Sequence, residues 1–396
     1  MKLLTVEDAR ARMLAEIAAL PAETVSLTDS RGRVLAENVA ATRDQPPFRA
    51  SAMDGWAVRQ ADTPGALAIV GESAAGHGFA GGVAPGQAVR IFTGAAVPDD
   101  CDAVVIQEDA ERDGDLVRVP AARPNSNIRP VGGDFASGAV LLQRGDRIDP
   151  WRLSLAASAG RAELSVYGRP RVAVLSTGEE IVEAPATPGP FQIYNSGTPA
   201  LAAMIAAWGG TPVRARPVRD DLETTVEAIR TAQADLIVTI GGASVGDHDL
   251  VRAAAGELGL DLKVASVAIR PGKPTFFGVL GDGRRLLGLP GNPASAFVCA
   301  ELFLKPILAA YQGADPAPRL IEARLEVALP AGGPREQWMR AKLAFSGGEV
   351  TVRPLRDQDS SLITVFAQSD ALLRRPAGAP AAEAGAVVEV LPLSRG

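Results

Sequence analysis

Six acidic side chains, Glu179, Glu180, Asp220, Asp221, Asp247 and Asp249, fall close to glycine-rich or basic stretches in the middle of the chain. Gly241, Gly242 and Gly246 lie among them, followed by Arg270 and Lys273. Glycines let backbone N–H groups approach an anion with no Cβ in the way, and a helix start just beyond them favours negative charge. Arg270 and Lys273 add positive charge suited to phosphate or another oxyanion. Carboxylates facing a phosphate repel it unless a cation sits between them. Mg²⁺ suits that place, because it is usually held by one or two carboxylates together with phosphate oxygens. The combination reads as a Mg²⁺–phosphate substrate site.

These residues need a scaffold that gathers them. Between 170 and 312 the pattern predicts strands at Arg171–Ser176, Pro212–Val218, Asp235–Ile240, Val264–Ile269, Thr275–Leu280 and Arg285–Leu289. Helices are predicted at Pro199–Trp208, Leu222–Gln233, His248–Leu258 and Pro293–Ala310, the last with Asn292 as N-cap and Pro293 in its first turn. Such alternation gives βαβ units and an open, mostly parallel α/β sheet. Ligands bind outside the carboxyl ends of such strands. Five loops fall there: Ser176-Thr177-Gly178-Glu179-Glu180, Arg219-Asp220-Asp221, Gly241 to Asp249, Arg270-Pro271-Gly272-Lys273-Pro274, and Pro290-Gly291-Asn292-Pro293-Ala294-Ser295. Taken singly, each has a plainer reading. Asp220 or Asp221 serves equally as a helix cap, and Asn292-Pro293 as helix-start chemistry. Gly241-Gly242 could be a simple turn. Ser244, His248 and Asp249 invite a triad, but their close spacing favours a solvated His248. Only the joint placement on one rim points to a site.

Composition sets the outer limits. The chain has 396 residues, enough for several domains, with 40 Lys+Arg against 46 Asp+Glu and a net charge of -6. That balance argues against a nucleic-acid-wrapping protein. Cys101 and Cys299 supply no disulfide framework, and with His77 and His248 they show no zinc spacing. Both cysteines read as packing residues and His77 as a surface residue. The N-terminus turns acidic before any signal-peptide core. The apolar run Ala294 to Leu308 is broken by Glu301, Lys305 and Pro306, so no membrane span is expected and a cytoplasmic location is.

The expected fold class is α/β and multi-domain. Residues 1–42 with 134–168 form a composite helical/strand linker domain, opened by a helix whose face is Val6, Ala9, Met13, Ile17 and Leu20. Residues 43–133 form a β-rich insertion, in which Arg112-Asp113-Gly114-Asp115 links Ala103–Ile106 to Leu116–Val119. Residues 169–313 form the α/β domain. Residues 314–396 form a small barrel-like β domain with strands at Ile321–Val327, Trp338–Phe345, Glu349–Pro354 and Val387–Leu391.

Together, the segments Pro47 to Ala57 (with Ser51-Ala52-Met53-Asp54-Gly55), Arg90 to Pro98 (with Thr93-Gly94-Ala95), Ser176 to Glu180, Gly241 to Asp249, Pro271 to Pro274 and Leu289 to Ser295 resemble the molybdopterin molybdenumtransferases of the bacterial and gephyrin type. The likeness runs in order through nearly the whole chain. It implies that adenylylated molybdopterin and molybdate give molybdenum cofactor and AMP, with a divalent cation. It implies a homodimer whose site is shared between the α/β domain of one subunit and the β insertion of the other, with the upstream molybdopterin adenylyltransferase as a further partner. By motif, Asp54, Thr93, Asp134, Glu180, Asp220, Asp249, Arg270, Lys273, Pro290 and Pro293 become functional positions. Glu180, Asp220 and Asp249 are assigned to Mg²⁺ and the pyrophosphate, and Arg270 and Lys273 to molybdate or phosphate. Asp54 and Thr93 shape the face presented to the other subunit and position the attacking oxyanion. Asp134, Ser176, Thr177, Gly178, Gly241, Gly242, Ser244, Gly246, Gly291, Asn292 and Ser295 are taken as substrate-binding.

Three positions depart from the family pattern. Arg270 stands where Lys is common, Gly197 where Asn is common, and Arg49 where a small or acidic residue is usual. Two other readings remain: an enzyme of the same fold with another nucleotide substrate, and a gephyrin-like scaffold without catalysis. Gln358-Asp359-Ser360-Ser361 either reaches the site or forms a surface turn.

Overall fold

The computed structural model describes residues 3–214, 217–241 and 250–393. They form two compact units, one of residues 1–23, 32–36 and 166–396, the other of residues 24–31 and 37–165. The first unit holds two six-stranded sheets and a two-stranded parallel pair, Ile181–Val182 with Ile193–Tyr194. Its α/β sheet contains β1 (Arg171–Ser176), β2 (Thr211–Arg214), β3 (Leu236–Ile240), β4 (Asp261–Val264), β6 (Phe276–Val279) and β7 (Arg285–Leu289), in the order β2-β1-β3-β7-β6-β4. Five of these strands run one way and β6 runs against them. β3 is buried throughout, as expected of a strand covered on both faces.

The expected strand Val264–Ile269 divides. β4 ends at Val264, while β5 (Ile269–Arg270) leaves the α/β sheet and pairs in parallel with β9 (Glu336–Ser346). β8 (Ile321–Leu325), β9, β10 (Glu349–Pro354), β11 (Ala371–Arg375) and β12 (Val387–Pro392) close into a five-stranded barrel, β9 pairing with both β10 and β11. Period-two alternation is weak in β11, whose burial is nearly continuous, and it escaped the sequence pattern.

The N-terminal helix Val6–Ala15 buries Val6, Ala9 and Met13 in the same core as the α/β sheet. It ends at Ala15, before the expected Leu20, and packs in this unit rather than with segment 134–168. The reason is the apolar surface offered there by the helix Pro293–Tyr311, whose middle turn, Ala300–Leu304, is π-helical. That helix is long and apolar enough to cross a membrane, yet 83% of its apolar window is buried inside the fold, which makes it the central core helix. Its buried Glu301 is paired with Lys305 at 3.0 Å.

The second unit carries a six-stranded mixed sheet of Ala103–Ile106, Gly55–Val58, Gln87–Ile91, Gly65–Ser73, Leu116–Val119 and Glu111–Asp113, in that order. The turn at Gly114 joins Glu111–Asp113 to Leu116–Val119 as a hairpin, whereas Ala103–Ile106 pairs with Gly55–Val58. Gly114 adopts φ +58°, a value glycine tolerates without a Cβ penalty.

Candidate active site

Strand register sets one rim of the α/β sheet. Ser176 lies opposite Ile240 and Ile240 opposite Leu289, so the loops after β1, β3 and β7 start level with one another. Phe276 lies opposite Gly288, and because β6 is antiparallel its preceding loop, 270–275, arrives at that same edge. After β2, Val218 bridges Thr177 and brings Arg219-Asp220 beside the Thr177–Glu180 loop. The five-loop rim predicted from sequence is therefore formed by the described parts of all five loops. Gly242, Ser244, Gly246 and Asp249 lie outside the described residues, with Asp247 and His248.

Within the first loop, Ser176 and Thr177 are buried. The Asn195 amide donates to Ser176 Oγ (3.4 Å) and Thr198 Oγ1 (3.1 Å), while Thr198 N–H donates back to Asn195 Oδ1, tying the loop to the next helix. Gly197 opens that helix, and a Cβ there would press on Ile240 at 3.1 Å. Gly178 adopts φ +137°, and an added Cβ would fall 2.6 Å from the Glu180 carboxylate. Glycine thus lets Glu180 fold back over the loop, with its side chain exposed. Gly241 has φ +88°, and a Cβ would sit 3.0 Å from the Thr177 carbonyl oxygen. Thr177 Oγ1, buried and without a hydrogen-bond partner among the described residues, lies against this glycine.

The structure separates the two neighbouring aspartates. Asp221 caps the helix Leu222–Thr231, accepting from Thr224 N–H (2.7 Å) and Oγ1 (2.6 Å). These bonds, side chain first, hold its carboxyl below the usual carboxylate range. Asp220 is exposed and makes no hydrogen bond or ion pair among the described residues, so it is the one available to a ligand.

Asn292 occupies the N-cap position of the helix beginning at Pro293 but makes no side-chain cap bond. Its amide donates instead to Ser360 Oγ at 2.8 Å, joining the rim to the barrel. The segment Gln358–Ser360 accordingly lines a pocket of about 330 Å³ with Arg270, Gly272, Lys273 and Ser295 from the rim and Arg335, Trp338 and Arg340 from the barrel. Four of these side chains are cationic. Arg340 is fully buried, and its Nη2 donates to the Asp359 carbonyl oxygen at 2.9 Å. Arg340 Nε and Trp338 Nε1 are buried donors without hydrogen-bond partners among the described residues. Unpaired buried donors are costly. Arg335, Trp338 and Arg340 carried no sequence signal, because they lie just before and within a barrel strand far along the chain from the rim motifs. Gly272 has φ +113°, and a Cβ would meet Cys299 Sγ at 2.2 Å. Burial pushes the Cys299 thiol up to about 12, so it packs beneath the basic loop as an unreactive thiol.

The second unit brings Asp54 and Thr93 together. Asp54 Oδ1 accepts from Thr93 N–H and Thr93 Oγ1, both at 2.7 Å, and this pair holds the carboxyl below its usual range. Ser51 Oγ donates to the Met53 carbonyl (2.6 Å) and shapes the turn before Asp54. Arg49 is absorbed within this unit, donating to the carbonyls of Pro98, Asp99 and Cys101. Asp134 is exposed, and its N–H donates to the Gln45 carbonyl. Pro290 is buried at the end of β7, Gly291 is exposed, and Pro293 occupies the first helical turn.

Comparison with known proteins agrees along the whole chain. Residues 4–160 match the MoeA N-terminal region (domain I and II), residues 173–310 a probable molybdopterin binding domain, and residues 322–393 the MoeA C-terminal region (domain IV). Molybdopterin molybdenumtransferase from Staphylococcus aureus is 31% identical over 400 residues, covering 98% of this chain and 95% of that protein. Its namesake from Bacillus subtilis is 34% identical over 384 residues, covering 93% and 89%. A crystal structure of a molybdopterin biosynthesis MoeA protein from Pyrococcus horikoshii superposes with TM-score 0.85 at 26% identity, covering 99% of this chain and 100% of that one. Identity above 30% across nearly the full length, with matching domains in order, establishes descent as well as fold: the chain belongs to the molybdopterin molybdenumtransferase family, transferases of molybdenum cofactor biosynthesis.

Proposed function

We propose that the protein inserts molybdate into adenylylated molybdopterin, with release of AMP and with a divalent cation. The observation that carries this reading is the basic pocket. Arg270, Lys273, Arg335 and Arg340 surround a space large enough for a tetrahedral dianion, with the Ser295 and Ser360 side chains at its lining. The glycine-bearing loops at Gly178, Gly241 and Gly291 suit the phosphate end of the nucleotide on the same rim.

Mg²⁺ fits the donor set. Glu180 and Asp220 are exposed hard oxygen donors free of ion pairs among the described residues, and two carboxylates with substrate phosphate oxygens make a usual Mg²⁺ environment. No cluster of three metal-binding side chains occurs among the described residues, so Asp249 is assigned by motif alone. Bound Mg²⁺ would neutralise the charge of the pyrophosphate. The chain's own residues then hold molybdate at the basic pocket, anchor the nucleotide at the glycine loops and align the two for breakage of the phosphoanhydride bond.

Asp54, Thr93 and Asp134 belong in this reading to the face that one subunit of a homodimer presents to the other. We also keep the cytoplasmic location and the upstream adenylyltransferase as donor of the substrate. The test is incubation of the purified protein with adenylylated molybdopterin, Mg²⁺ and molybdate. Molybdate-dependent AMP release is expected; AMP release indifferent to molybdate, or none, overturns the reading. Mixing Asp54→Asn subunits with Lys273→Met subunits should regenerate activity that neither has alone, and failure to do so overturns the shared site.

A further inference from the structure

Arg90 is the half-buried cation beside Asp54, and it forms no salt bridge among the described residues. Its guanidinium lies 5.3 Å from the ring centre of Trp56 and 4.8 Å from that of Phe92. Nη1 donates to the Gly55 carbonyl (2.9 Å) and Nη2 to Gln107 Oε1 (2.7 Å). Gln107 N–H donates to the Asp54 carbonyl (3.0 Å), so one network holds the cation and the backbone of the aspartate. Five planar donors and a ring-stacking face are the properties in which Arg differs from Lys.

We propose that Arg90 is the positioning residue of the Asp54–Thr93 pair, a fixed cation that orients the carboxylate while its own donors are engaged elsewhere, leaving Asp54 Oδ2 open to substrate. The proposal rests on the reading that Asp54 acts on substrate. Three observations support it. Among the described residues, both hydrogen bonds to the Asp54 carboxylate come from Thr93 and go to Oδ1, and Oδ2 accepts none. The Arg90 anchors are neutral, so its charge is not cancelled on the spot. Glu72, opposite Arg90 in strand register, and Glu108, bonded to the Gln107 amide, make no ion pair with it among the described residues. Arg90 also adds to the two Thr93 hydrogen bonds in lowering the Asp54 pKa. A direct Arg90–Asp54 ion pair would achieve the same charge balance but would occupy Oδ2.

The test uses the full chain and four variants: Asp54→Asn, Arg90→Met, Arg90→Lys and Gln107→Leu. The Asp54 carboxyl signal is assigned by ¹³C NMR as the resonance lost in Asp54→Asn. In Arg90→Met its titration midpoint should rise by about half a pH unit or more, and kcat for molybdate-dependent AMP release should fall about tenfold with KM little changed. Arg90→Lys should return the midpoint towards the parent value while recovering only part of kcat. An unmoved midpoint in Arg90→Met overturns the proposal, and so does a rise in KM at constant kcat, which makes Arg90 a substrate ligand. If Arg90→Met does not fold, Gln107→Leu decides, since it loosens the Arg90 fork without removing the charge. Its kcat should fall at constant KM; an unchanged kcat overturns the proposal. Full activity in Asp54→Asn removes the underlying reading, whereas an inactive Asp54→Asn with an unmoved Arg90→Met midpoint removes only this one.

Discussion

The Asn292 amide donates to the Ser360 hydroxyl at 2.8 Å, and this bond fastens the last rim loop of the α/β sheet to a barrel segment 68 positions further along the chain. Asn292 stands at a helix N-cap, where its side chain ordinarily bonds the helix's own backbone. The redirected amide helps place Ser360 at the edge of the basic pocket. Ser360→Ala should therefore raise the KM for molybdate by about three- to tenfold, in line with loss of one hydrogen bond of about 1 kcal/mol, with little change in thermal midpoint. Initial-rate measurements across molybdate concentrations check this.

Lys273 and Arg340 both line that pocket but differ in burial. Lys273 is exposed, so Lys273→Met should cost activity by about a hundredfold at unchanged stability, the scale of losing one electrostatic contact to a reacting oxyanion. Arg340 is fully buried and bonded to the Asp359 carbonyl, so Arg340→Met should lower both molybdate affinity and the thermal midpoint. Calorimetric titration with molybdate and thermal unfolding of each variant separate the two effects.

Asp220 and Asp221 should separate in the opposite sense. Asp221→Ala removes a helix cap and should lower the thermal midpoint by about 2–4 °C while leaving turnover largely intact. Asp220→Asn should lower turnover and leave the midpoint unchanged. The folded Asp221 carboxyl lies below its unfolded value of about 3.9. Its stabilisation is therefore fully present above about pH 4 and is lost as pH falls through the lower folded value. The difference in urea midpoint between parent and Asp221→Ala should accordingly shrink on acidification; a difference that does not shrink would count against the cap.

Gly272→Ala should disable the basic loop, because φ +113° is strained for a residue with a Cβ and that Cβ would overlap Cys299 Sγ. Cys299→Ala in the same chain should relieve the overlap but not the backbone strain, restoring only part of the stability and activity. In the parent protein the thiols of Cys101 and Cys299, both pushed to about 12 chiefly by burial, should resist alkylation at pH 8 until the chain unfolds. Mass spectrometry with and without denaturant reads this directly.

The βαβ alternation, the rim motifs and the order of the matching segments are legible in the sequence because they are local: strand period, glycine where φ is positive, proline at a helix start. The same local reasoning stops at Asp220 and Asp221, which look alike until the bonds to Thr224 show which one is the cap. It misdirects at Val264–Ile269, where a continuous apolar run hides the change from one sheet to another. It is silent on Arg335, Trp338 and Arg340, since they reach the rim only because non-local strand pairing sets that side of the barrel against the α/β sheet, which no short window contains. The slight acidic excess of the chain likewise says nothing about a pocket with four cations. By itself the sequence determined the family, the order of domains and the rim. The tertiary structure decided which carboxylate caps a helix, where the positive charge converges and what holds Asp54, because those outcomes depend on hydrogen bonds and burial rather than on residue type.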